Sequence, residues 1–125
     1  EKDVNKTIKQ ENVNILEIET SEDKLIELYD KHNIFILPSF TEGHPMVLLE
    51  SLARSRPVII FEEISHVVGS KKGIFIAKRN SESLSEKIQY IRSNYNKIQE
   101  DMKNNNLPLK KDYLKEFQSS ILNFN

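Results

Sequence analysis

The chain is expected to fold as an open, parallel α/β sheet with flanking helices. Three features of its 125 residues carry that expectation. Short β-branched-rich runs alternate with helix-patterned segments. The strand-like runs are continuously apolar, as strands buried on both faces are. Prolines and an asparagine cluster stand where one element gives way to the next. Alternating strands and helices imply parallel pairing through right-handed crossovers.

Residues 1–10, EKDVNKTIKQ, read as the polar end of a helix that began earlier. Residues 13–18, VNILEI, read as a first strand. The segment SEDKLIELYDKH follows as a helix with apolar Leu25, Ile26, Leu28 and Tyr29; Ser21 is its N-cap, and Lys24 stands where a capping-box glutamate would. In NIFILP, residues 34–37 form a second strand that Pro38 stops. His44-Pro45 then opens a helix with Pro45 at its first position. Met46, Val47, Leu48, Leu49 and Leu52 supply its apolar surface, and Pro57 closes it.

Residues 58–61 form a third strand, EEISHVV a short helix, and residues 73–77 a fourth strand. From Ser81 a long amphipathic segment carries Leu84, Ile88, Ile91, Tyr95, Ile98 and Met102 at helical spacing, until NNNLP breaks it. The last segment, KKDYLKEFQSSILNF, gathers Tyr113, Leu114, Phe117, Ile121 and Leu122 on one face, so it should dock on other structure.

Composition excludes several classes of function. Lys plus Arg number 18 against 19 Asp plus Glu, so no net field favours nucleic acid or an anionic membrane. With no cysteine there is no disulfide, thiolate metal site or cysteine nucleophile. No apolar run approaches the ~20 residues of a membrane span, and the first residues carry no signal-peptide pattern. A cytoplasmic location is expected, with at most peripheral contact at the inner face of a membrane.

The stretch that carries chemistry is residues 42–50, EGHPMVLLE. It leaves a strand tip and enters a helix, which is where open α/β sheets bind ligands. The first helical amides and the positive end of the helix dipole suit a phosphate. The donors would be Met46, Val47 and Leu48, since Pro45 has no N–H. Gly43 leaves room for a ligand beside the backbone. Glu50 is placed to accept hydrogen bonds from a pair of hydroxyls, and Glu42 faces the other side of the same pocket.

These residues resemble the E-x7-E signature of retaining, GT-B fold, family 4 glycosyltransferases. Tyr29, FILPS, the E-x7-E helix, Ala53, Pro57-Val58-Ile59 and His66-Val67-Val68 follow in the family's order, and residues 81–93 resemble its "D-x-x-x-L-x-x-x-I" helix. The likeness covers about residues 13–105. It implies an incomplete Rossmann-like C-terminal domain of a GT-B enzyme, one that transfers a sugar from a nucleotide-sugar donor to an acceptor hydroxyl with retention of configuration. By the resemblance, Glu42 with Gly43 and His44 meets the donor sugar and Glu42 is the catalytic group. The amides of Met46, Val47 and Leu48 meet the diphosphate, and Glu50 holds the ribose. No metal or other cofactor is implied.

Residues 1–105 would be a partial nucleotide-sugar-binding domain, and residues 106–125 a C-terminal helix packed on it or toward an N-terminal acceptor-binding domain. The implied partners are the nucleotide-sugar and a saccharide or lipid-linked acceptor of surface glycan assembly. Departures from the family pattern are Ser55 in place of a helix-ending glycine, Glu62-Glu63 in place of Gly-Gly, and His66 in place of glutamate. The first two strands of the donor domain, with their diphosphate-binding Arg and Lys, have no counterpart here, so this stretch alone is expected to turn nothing over. Competing readings are a non-catalytic nucleotide-sugar-binding subunit or remnant that needs a partner chain, and a response-regulator-like interaction domain. The latter would require an acidic cluster at a first strand tip, which is missing.

Overall fold

A computed structural model describes residues 12–17, 21–43 and 45–107. Helix α1 (Glu22–Lys31) is followed by strand β1 (Phe35–Leu37) and helix α2 (Met46–Ala53). Strand β2 (Val58–Phe61) continues into a 3-10 segment (Glu62–Val67), and strand β3 (Ile74–Ala77) leads to α3 (Ser81–Ser93) and α4 (Tyr95–Met102). The strands form one open parallel sheet in the order β1-β2-β3, with Ile36 opposite Ile59 and Ile59 opposite Phe75. The architecture is the expected α/β, Rossmann-like arrangement of a parallel sheet and flanking helices.

Among the described residues the sheet has three strands where four are expected. Residues 13–17 run without sheet pairing, and Val13, Ile15 and Leu16 are exposed; the last residue of that expected strand, Ile18, lies outside the described residues. β-propensity alone does not make a strand, because a strand needs a neighbour to pair with and a face to bury. The N-terminal helix end expected over residues 1–10 and the C-terminal helix expected after NNNLP also fall outside the described residues.

β2 is buried from end to end, with Val58, Ile59 and Ile60 fully enclosed. It is the middle strand, so both of its edges are paired and both of its faces are covered. α2 packs on β2 through Leu48 and Leu52, and α3 packs on β3. Met46 and Val47, expected to join the core, are instead exposed. They occupy the first turn of α2, ahead of its first buried residue, Leu48.

Pro45 is the N-cap of α2 and not its first helical residue; its ψ of 95° is extended. At the other end the helix closes in a Schellman motif: Arg56 N–H donates to Ser51 O at 2.9 Å, and Ser55 N–H to Leu52 O at 2.9 Å. This geometry requires a left-handed residue, and Ser55 supplies it with a φ of 56°. Arg54 and Arg56, which follow the last turn of α2, reach back to the end of α1. Arg54 Nε donates to Asp30 Oδ1 at 2.9 Å, while Arg56 donates to the carbonyls of Tyr29 and Asp30 at 2.9 and 3.0 Å. Cations there satisfy orphan carbonyls and complement the helix dipole.

The long amphipathic segment is two helices, because Asn94 interrupts it at φ −122° and ψ 21°. Its side-chain amide donates to Tyr90 O at 2.9 Å, competing with the helical ladder as asparagine does. α4 then ties back to the sheet through Tyr95, whose hydroxyl donates to Asn33 O at 2.8 Å, and Gln99, which donates to Ser55 O at 2.9 Å. EEISHVV forms a 3-10 segment in place of the expected helix, kinked at Ile64 where φ is −116° and ψ is 26°. Six residues make two tight 3-10 turns between the buried end of β2 and the turn at Gly69.

Two backbone positions give opposite expectations. Ser55→Gly relieves a left-handed serine while keeping the carbonyl that Gln99 binds, and should stabilise the fold by up to about 1 kcal/mol. Gly73 has a φ of 96°, and an added Cβ would lie 2.7 Å from the buried Met102 side chain. Gly73→Ala should therefore cost about 1–3 kcal/mol. Urea unfolding curves read both; a destabilised Ser55→Gly would contradict the assigned cap.

Candidate functional site

Parallel pairing brings the three segments that leave the strands to one edge of the sheet. Residues 38–45 follow β1, the 3-10 segment follows β2, and residues 78–80 follow β3. Their backbone groups are beyond the ladder, so side chains must hold them together. Two side chains cross between segments. His66 Nε2 lies 2.8 Å from the carbonyl of Glu42. A carbonyl oxygen only accepts, so Nε2 carries the proton. Arg79 donates from Nη1 to Pro38 O at 3.1 Å, from Nη2 to Ser39 O at 3.4 Å and from Nε to Glu63 Oε1 at 2.9 Å. Its guanidinium carbon also sits 3.8 Å from the Phe40 ring centre and 4.3 Å from that of Phe61.

Glu42 is half-buried in the loop after β1, where its Oε1 accepts from Ser39 Oγ at 2.8 Å. Gly43 lies beside it, and its chain neighbours aside no atom of the described residues comes within 4 Å of where a Cβ would stand. His44 lies outside the described residues. Leu48 is buried, and its N–H already donates to Pro45 O at 3.1 Å. The exposed first turn therefore offers the amides of Met46 and Val47, which have no acceptor among the described residues.

Glu50 is on the exposed side of α2, where its Oε2 accepts from the Tyr29 hydroxyl at 3.2 Å. Burial, aided by the adjacent Glu50 carboxylate, pushes the Tyr29 phenol well above its ordinary value, so it remains a donor to that carboxylate.

Two clefts flank α2. One, of about 180 Å³, is lined by Gly43, Pro45, Leu48, His66 and Lys71. Its size suits one part of a ligand, since whole small-molecule sites run to ~300–1,000 Å³. The other, of about 380 Å³, has walls from Leu28, Tyr29, Phe35 and Val47. Lys71 lines the first cleft, with Nζ donating to Val67 O at 3.1 Å. Among the described residues no group of three His, Cys, Asp or Glu side chains gathers to hold a metal ion, and no helix is long and apolar enough to cross a membrane.

Comparison with known proteins places this arrangement. The family model for glycosyl transferases group 1 matches residues 1–107. The chain belongs to that family. Two curated relatives of this glycosyl transferases group 1 chain are an N,N'-diacetylbacillosaminyl-diphospho-undecaprenol alpha-1,3-N-acetylgalactosaminyltransferase of Campylobacter jejuni and a putative glycosyltransferase, EpsF, of Bacillus subtilis. The first is 29% identical over 70 residues, covering 54% of this chain and 19% of the relative. The second is 34% identical over 65 residues, covering 52% and 17%. The aligned stretch thus spans about a fifth of each relative's length. No solved structure matches significantly.

Sequence reasoning passed over Arg79, Tyr29 as the partner of Glu50, and the His66 contact. A usable signal for Arg79 was its place in Lys78-Arg79-Asn80, just past a strand tip, with Phe61 ending the neighbouring strand.

The ion pairs and the phenol predict a pH profile. The Arg54 guanidinium holds the Asp30 carboxyl below the usual carboxylate range, and Arg79 does the same for Glu63. Both carboxyls bind a proton less readily folded than unfolded, so their contribution is complete above about pH 5 and is lost as pH falls further. Tyr29 keeps its proton where the unfolded chain releases it, so stability also falls as pH rises above about 10. Thermal melts across pH should show both limbs. Asp30→Asn should flatten the acid limb and Tyr29→Phe the alkaline one.

Proposed function

We propose that this chain forms the donor side of a retaining, GT-B fold, family 4 glycosyltransferase, which transfers a sugar from a nucleotide-sugar to an acceptor hydroxyl. One observation carries the reading. Two carboxylates are held by hydroxyls, Glu42 by Ser39 just before α2 and Glu50 by Tyr29 on its exposed side, and the Met46 and Val47 amides have no acceptor among the described residues.

The chemistry follows from that layout. As the bond from the anomeric carbon to the diphosphate breaks, negative charge grows on the leaving group and positive charge on the sugar. The Met46 and Val47 amides, at the positive end of α2, are fixed donors for the diphosphate and need no reorganisation as charge develops. Glu42 is the catalytic carboxylate that favours the oxocarbenium-like sugar. Gly43 gives the sugar its approach in the smaller cleft, with His44 adjoining it in sequence. Glu50, oriented by Tyr29, accepts from the ribose hydroxyls, and the apolar walls of the larger cleft suit the base. Leu48 contributes packing rather than a donor. The reaction is proposed without a bound metal or other cofactor.

The name of the Campylobacter relative describes transfer of N-acetylgalactosamine to a diphospho-undecaprenol-linked sugar. That supports a lipid-linked saccharide as the acceptor class, in surface glycan assembly at the cytoplasmic face of a membrane. An acceptor-binding domain completes the proposed enzyme, and this stretch alone is inactive.

The test uses the intact protein, titrated calorimetrically with UDP-, GDP- and ADP-sugars while product is measured. Glu50→Ala should weaken donor binding by about 10- to 100-fold, the loss of roughly 1.5–3 kcal/mol of charged hydrogen bonds. Glu42→Ala should mainly slow transfer, by about 100-fold or more, with little change in affinity. Gly43→Ala should fold normally, since its Cβ meets open space, yet weaken donor binding. Unchanged affinity and rate in the two glutamate variants would refute the assignment.

A further inference from the structure

We infer that Arg79 is a positioning residue that holds the Glu42 loop in its working arrangement. It reaches Glu42 through one intermediary. Arg79 Nη1 and Nη2 hold the carbonyls of Pro38 and Ser39 at 3.1 and 3.4 Å, and Ser39 Oγ donates to Glu42 Oε1 at 2.8 Å. Its Nε is occupied by Glu63 at 2.9 Å, which anchors the guanidinium to the segment leaving β2.

The remaining surface of the guanidinium is taken by rings. Its central carbon is 3.8 Å from the Phe40 ring centre, on the Glu42 loop, and 4.3 Å from that of Phe61, the last residue of β2. Phe61 belongs to the buried strand and is 6% exposed, whereas Phe40 is 64% exposed. The guanidinium thus joins an exposed aromatic to a buried one while its N–H groups hold the loop carbonyls. A planar, permanently charged fork can do this, and a lysine ammonium cannot. The Arg79 side chain is itself 31% exposed, and Phe61 is the one core residue its guanidinium is seen to meet among the described residues. What it contacts is the loop before α2 and the two segments beside it.

This inference rests on the reading of Glu42 as the residue beside the donor sugar, and the test separates the two. In the intact protein, backbone 15N order parameters report the loop directly, without substrate. Arg79→Ala should lower them at residues 39–43 from about 0.85 to below about 0.6 while β2 stays rigid. Turnover of the nucleotide-sugar should fall by roughly 10- to 100-fold, as misplacement of a reacting group by about an ångström does. The Kd for UDP, GDP or ADP, whichever binds the wild type, should remain within about twofold, because Glu50 and the first turn of α2 are untouched.

Arg79→Lys keeps the charge and loses the fork; it should melt near the wild-type temperature and still show the loosened loop and reduced turnover. Unaltered order parameters at residues 39–43 in both variants overturn the inference, as does a loss of order that extends through β2. If the wild type binds none of UDP, GDP and ADP, the donor-site reading fails, while the order parameters still decide whether Arg79 holds the loop.

Discussion

The parallel pairing of β2 with both of its neighbours is the constraint on which the rest of this structure depends. Val58, Ile59 and Ile60 have no exposed surface, so β2 cannot slip by one residue without turning its side chains to opposite faces. Parallel strands also cannot be joined by tight turns. Each crossover must travel back across a face, which gives α2 its place on β2 and brings every outgoing segment to the same edge. The candidate site occupies that edge because the pairing leaves no alternative location for residues 38–43, 62–67 and 78–80.

α2 shows how one short helix serves core and site together. Leu48, Leu49 and Leu52 are buried, and Ser51 is enclosed with its hydroxyl donating to Arg56 O at 3.1 Å. The opposite side and the first turn remain open, carrying Met46, Val47 and Glu50. The register of the helix is held at its far end, where Ser55 closes the Schellman turn and Arg54 and Arg56 hold the end of α1. Tyr29 lies near the end of α1, so these distant arginines also fix the hydroxyl that orients Glu50. Stability at one end of the helix and geometry at the other are one set of contacts.

Much of this was legible in the residues themselves. Three continuous apolar runs correspond to β1, β2 and β3, because burial on both faces erases the alternation of a half-exposed strand. Ser55 at a helix-ending position foretold a strained turn, and its φ of 56° is that strain. The run 13–17 misled, since β-branched composition says nothing of a pairing partner. The unbroken helical pattern from residue 81 misled too: apolar spacing survives the interruption at Asn94, while the asparagine side chain bonds Tyr90 O. Pro45 was placed one position too far into its helix, because a proline's fixed φ suits an N-cap as well as a first helical residue.

By itself the sequence determined the fold class, the EGHPMVLLE segment at a strand-to-helix junction, and a composition without cysteine and with a net charge of only −1. These are local properties: periodicity, breaker residues and spacing along the chain. The tertiary structure alone decided which side chains hold the two glutamates. Ser39 reaches Glu42 across three residues, but Tyr29 reaches Glu50 across 21, His66 reaches Glu42 across 24, and Arg79 reaches Ser39 across 40. Contacts at such separations follow from strand order and crossover path, and no local pattern encodes them.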